Sequence, residues 1–502
     1  MKQHLPVLPA DIWECVASFL SLWELLPLIS VNRALYNIVL DMKYREIHWD
    51  KLDDHMAKTL VRLRTPSVAR RVRRLHIRAW FIEYLIRKEA FTPHSYVMSS
   101  KRWISQYLQL PPRITPSTGG KSSSAGNILE SMTRAVRLMT HVTEYSFEWC
   151  DLSPTPEILQ FLSAARTTFG VSLRKLVLHA QLGNFATLLT TVDFENLEEL
   201  ELFLDHDHSV GAHCADLLRG CIAPFVNHFR RTLTSLLISS ASNVDVVPLL
   251  DALQEVPHLH KLVGRFAFDT VHLSDPGGLV KILRTNTDTL SNVELGWSSA
   301  AASKSDSDAD HQPVPVLSTW ADFSAEVVAD PLVLANLTSF KLPCLSTFDA
   351  TLRCLRRSAD MLTSLYLVDH FLGDQELTDL VGVFSHRPFD AGLQTLSPGL
   401  QSLGLVLTPT SVAVISDREE MGYPTRYLGG RSYPDWALSN LGIWEKRFID
   451  TAHTVPKELK VMQHLARCIP GLQTFKGEPK SEGKVCRAWL EEVLVLEVVP
   501  ID

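Results

Sequence analysis

Paired cysteines are missing from this chain. Its eight cysteines, at 15, 150, 214, 221, 344, 354, 468 and 486, form no CxxC pair and no zinc-type cluster. That excludes a disulfide framework and a structural zinc module, and thiols scattered in this way suit a reducing compartment, where they serve as small core residues. Long hydrophobic runs are missing too: no stretch approaches about eighteen apolar residues without a charge, so no membrane span is expected. The N-terminus lacks an uninterrupted apolar segment, Asp11 breaking the early run, so no secretory signal is expected. A cytoplasmic or nuclear protein is the expectation. A large excess of one sign of charge is missing too. With 49 Lys and Arg against 56 Asp and Glu the net charge is −7, which supplies no basic field for nucleic acid. Catalytic signatures are absent as well: there is no GxSxG elbow, P-loop, GxGxxG or HExxH, and the 19 histidines are scattered. No catalytic residue, metal site or cofactor is expected.

What the chain does have is apolar residues in patterns. It is 46% hydrophobic and 21% charged, the composition of a folded protein rather than a disordered one. Its 502 residues exceed one compact core, unless the fold grows in one dimension by repetition.

The first such pattern fills the N-terminus. Ile12, Trp13, Val16, Phe19 and Leu20 recur at helical steps. Pro9 and Asp11 suit a first helical turn, and Ser21 can cap a second helix that tolerates Pro27 in its first turns. Val31 to Tyr44 makes a third, with Leu35, Ile38, Val39 and Met42 on one side. Forty residues cannot bury this many large apolar groups alone, so part of the surface should dock on something else.

From Leu8 to about Trp49 the order Leu8-Pro9, Ile12, Val16, Phe19-Leu20, Leu25, Leu28 and Val31-Asn32-Arg33 resembles the F-box. One position departs, the pattern's tryptophan being Leu35 here. The resemblance implies docking onto the Skp adaptor, and through it onto the cullin, of an SCF ubiquitin ligase. Carried over by position, the adaptor-binding residues would be Leu8, Pro9, Ile12, Val16, Leu20, Leu25, Leu28 and Val31.

The second pattern is a Leu-x-x-Leu-x-Leu phrase. It starts at Leu173, Leu197, Leu233, Leu290, Leu337, Leu362 and Leu400, with weaker copies at Val72, Val142, Leu259 and Leu472. Each copy suits a short strand whose alternate leucines face a core. The steps between starts from 142 to 400 are mostly 24 to 38 residues, enough for a strand and a helix, and helix-like patterns fill them at Ile158–Ala165, Ala212–Phe229 and Val246–Val256. The expected fold class is therefore α/β: an N-terminal three-helix F-box, then an irregular leucine-rich-repeat-like solenoid with a parallel sheet. The asparagine that better-known repeats of this kind carry after the strand is missing in every copy.

The expected organisation is an F-box over 1–50, linking helices and a first repeat over 51–110, a flexible loop over 111–127 and the solenoid over 128–502. Polar Ser298–Pro315 marks one insertion, at about 298–316, and the gap holding Arg426–Trp444 a second, at about 410–465. Residues between the paired leucines should line the open face of the sheet, where a protein substrate would bind: Val177, Glu201, Glu294, Lys341 and Tyr366. The arginine cluster around Val72 (Arg62, Arg64, Arg70, Arg71, Arg73, Arg74 and Arg78) reads as a solvated face around the first strand.

The chain is thus expected to be a substrate-receptor subunit without catalysis of its own. Two other readings stand beside it: a repeat scaffold outside any ligase, and a metal enzyme built on Asp205-His206-Asp207-His208 and the aromatic insertion. Adjacent ligands in one run seldom close a tetrahedral site, which weighs against the latter.

Overall fold

The computed structural model describes residues 9–82, 124–149, 155–190, 194–206, 213–240, 244–266, 271–296, 318–330, 332–342, 348–359, 361–370, 379–380, 383–384, 402–407, 440–445 and 474–476. The chain is α/β and divides into two units, residues 1–233 and 234–502.

The first unit opens with helices α1 (Ala10–Ser18) and α2 (Leu22–Leu25), a 3-10 turn over Leu26–Ser30, and α3 (Arg33–Tyr44). Ser21 starts α2 in a capping box with Glu24. Pro27 then falls in the second turn, where it has no N–H to continue the α ladder, and the helix tightens to 3-10. Asn32 caps α3 by accepting the Leu35 N–H at 2.8 Å. After α3 come β1 (Glu46–Trp49), α4 (Asp54–Arg62), α5 (Pro66–Ala69) and β2 (Arg74–Arg78). Then β3 (Glu144–Trp149), β4 (Lys175–Gln181) and β5 (Glu199–Asp205) alternate with helices Ser124–Val136, Pro156–Phe169 and Leu182–Thr190. Strands β1 to β5 pair in parallel, in sequence order and in register.

The second unit repeats this arrangement. Its strands are β6 (Ser235–Ser240), β7 (Lys261–Arg265), β8 (Asn292–Gly296), β9 (Ser339–Leu342), β10 (Ser364–His370), β11 (Ser402–Leu407), β12 (Asn440–Glu445) and β13 (Thr474–Lys476). They too run parallel and in order. Parallel neighbours require a crossover, and helices Val247–Ala252, Gly277–Thr285, Ser318–Ala329 and Phe348–Ser358 supply it between β6 and β10.

All eleven Leu-x-x-Leu-x-Leu copies lead into strands, β2 to β11 and β13. The inner row of strand leucines, such as Leu176, Leu178, Leu200 and Leu202, is fully buried, and so is the phrase's first leucine, as at Leu173 and Leu197. Helix residues Leu162, Ala165 and Leu188 close over this row, lining one small apolar cavity with Tyr145, Phe147, Leu176 and Leu178.

Two expectations need correction. Strand β12 lies inside the stretch 410–465 that was expected to be an insertion, and its sequence carries the same phrase, Leu438, Leu441 and Ile443. The loop expected over 111–127 overlaps a helix that already begins at Ser124. The insertion at about 298–316 lies outside the described residues.

The missing asparagines have a substitute. Among the described residues, the carbonyl just before each of eight strands accepts two N–H groups from the start of the next repeat, at 2.8–3.0 Å. In the first unit Arg45, Arg73, Thr143 and Arg174 act in this way, and in the second Thr234, His260, Ser291 and Thr338. Hydroxyls join in: Ser291 Oγ donates to the His260 carbonyl at 3.2 Å, Thr338 Oγ1 to Ser291 at 3.1 Å and Thr363 Oγ1 to Thr338 at 2.9 Å. This gives the threonine of Leu337-Thr338-Ser339 and of Leu362-Thr363-Ser364 a structural role. Thr338→Val should cost about 1 kcal/mol, the net worth of one such hydrogen bond, in chemical denaturation; an unchanged midpoint would remove the hydroxyl from this role.

Candidate docking surface

The three N-terminal helices close a core of their own. Ala17, Leu25, Leu35 and Val39 are buried in it, with Trp13, Leu20, Leu22, Leu26, Leu28, Ile29 and Ile38 packed around them. Leu35, where the F-box pattern has tryptophan, is only 2% exposed, so the smaller side chain fills its place inside the helices.

The outer side of the same helices is apolar as well. Phe19 and Trp23 are 83% and 81% exposed, and Ile12, Val16 and Val31 lie between 43% and 60%. The stripe on α1 therefore splits: Trp13, Ala17 and Leu20 turn inward, while Ile12, Val16 and Phe19 face out. A patch of this kind on a helical unit whose core is already closed has the character of a contact surface.

The eight residues carried over from the F-box pattern fall into groups. Leu8 lies outside the described residues. Pro9, Ile12, Val16 and Val31 are exposed, and Leu20 and Leu28 are half-buried. Leu25 is wholly buried; its place is the helical core, where it supports the surface without touching a partner. Phe19 and Trp23 were not among the eight, although Phe19 stands in the pattern and Trp23 begins the Trp-Glu-Leu-Leu run behind the capping serine.

One arginine ties these helices to the start of the first repeat. Arg71 donates to the Asn37 carbonyl (3.0 Å), Asn37 Oδ1 (2.9 Å) and Asp41 (2.7 Å), reaching from beyond α5 onto α3. Its side chain is only 18% exposed. The expected solvated face is thus in part a structural clamp. Arg74 and Arg78 do face outward, paired with Glu144 and Glu148, each at 3.2 Å.

The strand residues singled out as substrate contacts form two groups, one in each unit. Val177 on β4 stands in register beside Glu201 on β5. Glu294, Lys341 and Tyr366 stand side by side on β8, β9 and β10. Their charges are largely satisfied within the sheet. Lys341 Nζ lies 2.7 Å from Glu294, and Arg265 3.5 Å from the same carboxylate. Burial pushes the Glu294 carboxyl up, but Lys341 and Arg265 leave it below its ordinary value. Likewise burial works against the Lys175 ammonium, yet Glu201 at 2.7 Å, with Glu144 and Glu199, leaves it raised. On β6 and β7 the same outward row is covered, since Leu237 and Val263 are 5% and 1% exposed. The expectation that every intervening residue faces solvent fails there.

Asp205 is already engaged by His179, whose Nε2 lies 2.8 Å from its carboxylate; Asp207 and His208 lie outside the described residues. The Asp205 hydrogen bond, outweighing burial, raises the His179 pKa. A raised histidine stabilises the fold fully below its unfolded value, near 6.5, and loses that contribution as pH rises through the folded value. Both side chains are more than a third exposed, so the worth is at most about 1 kcal/mol. The stability gap between the parent chain and His179→Gln should therefore be widest below the unfolded value and narrow as pH rises through the raised folded value in urea melts. A constant gap would contradict the assignment.

Sequence reasoning missed one further cluster. Glu46 and His48 on β1 meet His76 on β2, with metal-ligating atoms all within 4.8 Å of one another. The signal was a Glu-x-His strand followed by a second strand with histidine at the matching position.

Among the described residues no helix is long and apolar enough to cross a membrane. No protein-family model matches this chain, and no curated protein matches it.

Proposed function

We propose that this chain is a substrate-receptor subunit of an SCF-type ubiquitin ligase. In this reading α1 to α3 are an F-box that docks on the Skp adaptor, and the parallel-stranded body is a leucine-rich-repeat-like solenoid that holds a protein substrate. The observation that carries the reading is the exposure of five apolar side chains, Ile12, Val16, Phe19, Trp23 and Val31, on a helical unit whose core is already closed. The F-box order of residues on those same helices supports it, as does the strand phrase recurring in sequence order behind them.

The mechanism is proximity. Holding adaptor and substrate on one chain makes transfer of ubiquitin to a substrate lysine effectively intramolecular, raising effective concentration with no catalytic group from this chain. The outward strand rows, with their mixed charges and sizes, favour a protein ligand read at several points.

The test uses the purified chain and purified Skp adaptor, mixed and resolved by size-exclusion chromatography. A one-to-one complex is expected. Two separate peaks at micromolar concentration, with both proteins folded, would overturn the ligase reading and leave a repeat scaffold. Affinity purification with mass spectrometry then seeks cullin and substrate in one experiment.

A further inference from the structure

We propose that Glu46, His48 and His76 form a binding site for a divalent transition-metal ion, with Zn2+ as its representative. The β1–β2 register sets His48 directly beside His76. Their imidazoles stack with centroids 4.7 Å apart and planes 12° from parallel. Both Nε2 atoms converge on one oxygen: Glu46 Oε1 lies 2.7 Å from His48 and 3.7 Å from His76.

Bonds of about 2.0–2.2 Å in a tetrahedron place ligand atoms about 3.3–3.6 Å apart. The donor atoms already lie close to this spacing, but the stacked rings must turn about their Cβ–Cγ bonds to aim both Nε2 lone pairs at one ion, a side-chain rotation that needs no change of backbone. The ion would replace the proton that His48 Nε2 shares with Glu46. Two imidazoles and a carboxylate suit zinc, copper or nickel, whereas Ca2+ and Mg2+ call for oxygen ligands throughout.

The surroundings accommodate an added positive charge. Arg74 lies 3.4 Å from the other oxygen of Glu46, but its Nε is also 3.2 Å from Glu144, which can hold it when the ion takes Glu46. His48 is the most exposed of the three at 57%, so the remaining coordination position opens to solvent. The site also has a placement of consequence. Glu46 comes two residues after the end of α3, so an ion here ties the strand that leaves the docking helices to its neighbour.

The full-length chain, stripped with chelator and desalted, is titrated with ZnCl2 against a chromophoric chelator. With 19 histidines and eight cysteines in the chain, the informative quantity is the difference between the parent and a His48→Ala/His76→Ala double variant. One ion per chain should disappear in the double variant. Either single variant, or Glu46→Gln, should weaken that ion at least about tenfold, since even partners of metal ligands cost 10–100-fold. The zinc-dependent rise in Tm should vanish in parallel, while circular dichroism of the metal-free variants stays that of the parent. Equal stoichiometry and affinity in parent and double variant would overturn the site. So would a parent chain that binds no ion more tightly than about 1 mM. Gentler His48→Asn and His76→Gln replacements cover the case of a misfolded alanine variant.

Discussion

A chain carrying Phe19→Asp and Trp23→Ala should fold as the parent does and lose adaptor binding by about 10²–10⁴-fold. Both side chains lie more than four-fifths outside the protein, so removing them leaves the helical core of Ala17, Leu25, Leu35 and Val39 intact. Burying a large apolar side chain in an interface is worth about 1.5–3 kcal/mol. Two of them give about 3–6 kcal/mol, and each 1.4 kcal/mol is tenfold in affinity. Aromatic residues at the centre of an interface tend to dominate its energy in this way. The choice of positions matters. Leu20 and Leu28 pack on the helical core, so Leu20→Asp would disturb folding and docking together. Biolayer interferometry with a parallel thermal melt separates the two. An unchanged Kd in a normally melting double variant would sink the docking proposal for this face.

Phe147→Ala should cost about 3–5 kcal/mol, enough to open the body of the first unit. Phe147 is 2% exposed in the inner row of β3. Its ring stands edge-on to Trp149 at 5.8 Å and lies 6.4 Å from Phe161 of the overlying helix, with Tyr145 at 6.1 Å. Removing it forfeits apolar burial, leaves a void and breaks aromatic contacts at once. In a structure stacked strand upon strand, each repeat leans on its neighbours, so the loss should spread to β2 and β4. Hydrogen exchange should show early opening of β2 to β4. Protection equal to the parent at those amides would mean that the aromatic row contributes little.

Much of this fold was legible in the sequence. Alternation of leucines with polar residues marks strands because the pleat sends successive side chains to opposite faces, and each of the eleven copies leads into one. One helical cap was equally plain, since Ser21 lies before α2; the cap at Asn32 was not read, the third helix having been expected to start at Val31. Burial on the second face was not legible. Whether Ile12 or Trp13 turns outward depends on packing among three helices, which a single helical stripe does not encode. Arg71 resembles one solvated cation among many in the sequence, because its partners Asn37 and Asp41 lie at least thirty positions earlier in the chain and only the folded path brings them near. The Glu46, His48 and His76 cluster escaped for a similar reason. Histidines 28 residues apart become neighbours only once β1 and β2 are known to pair in register. Strand β12 was a different case. Its leucines stood in view among Gly, Tyr and Trp, and the surrounding composition outweighed them.

The eight carbonyls that accept two N–H groups just before a strand bear on how the chain tolerates change. Each one fixes the entry of the following strand by two N–H groups at a single step. Whatever number of residues separates two strands, the chain re-enters at the same rung. The interval that starts at Leu290 runs to 47 residues, yet Thr338 and Ser339 return to the Ser291 carbonyl at 2.9 and 3.0 Å. Length is free between rungs and fixed at them. Segments of foreign sequence grafted into such an interval should leave the alignment of the neighbouring strands unmoved.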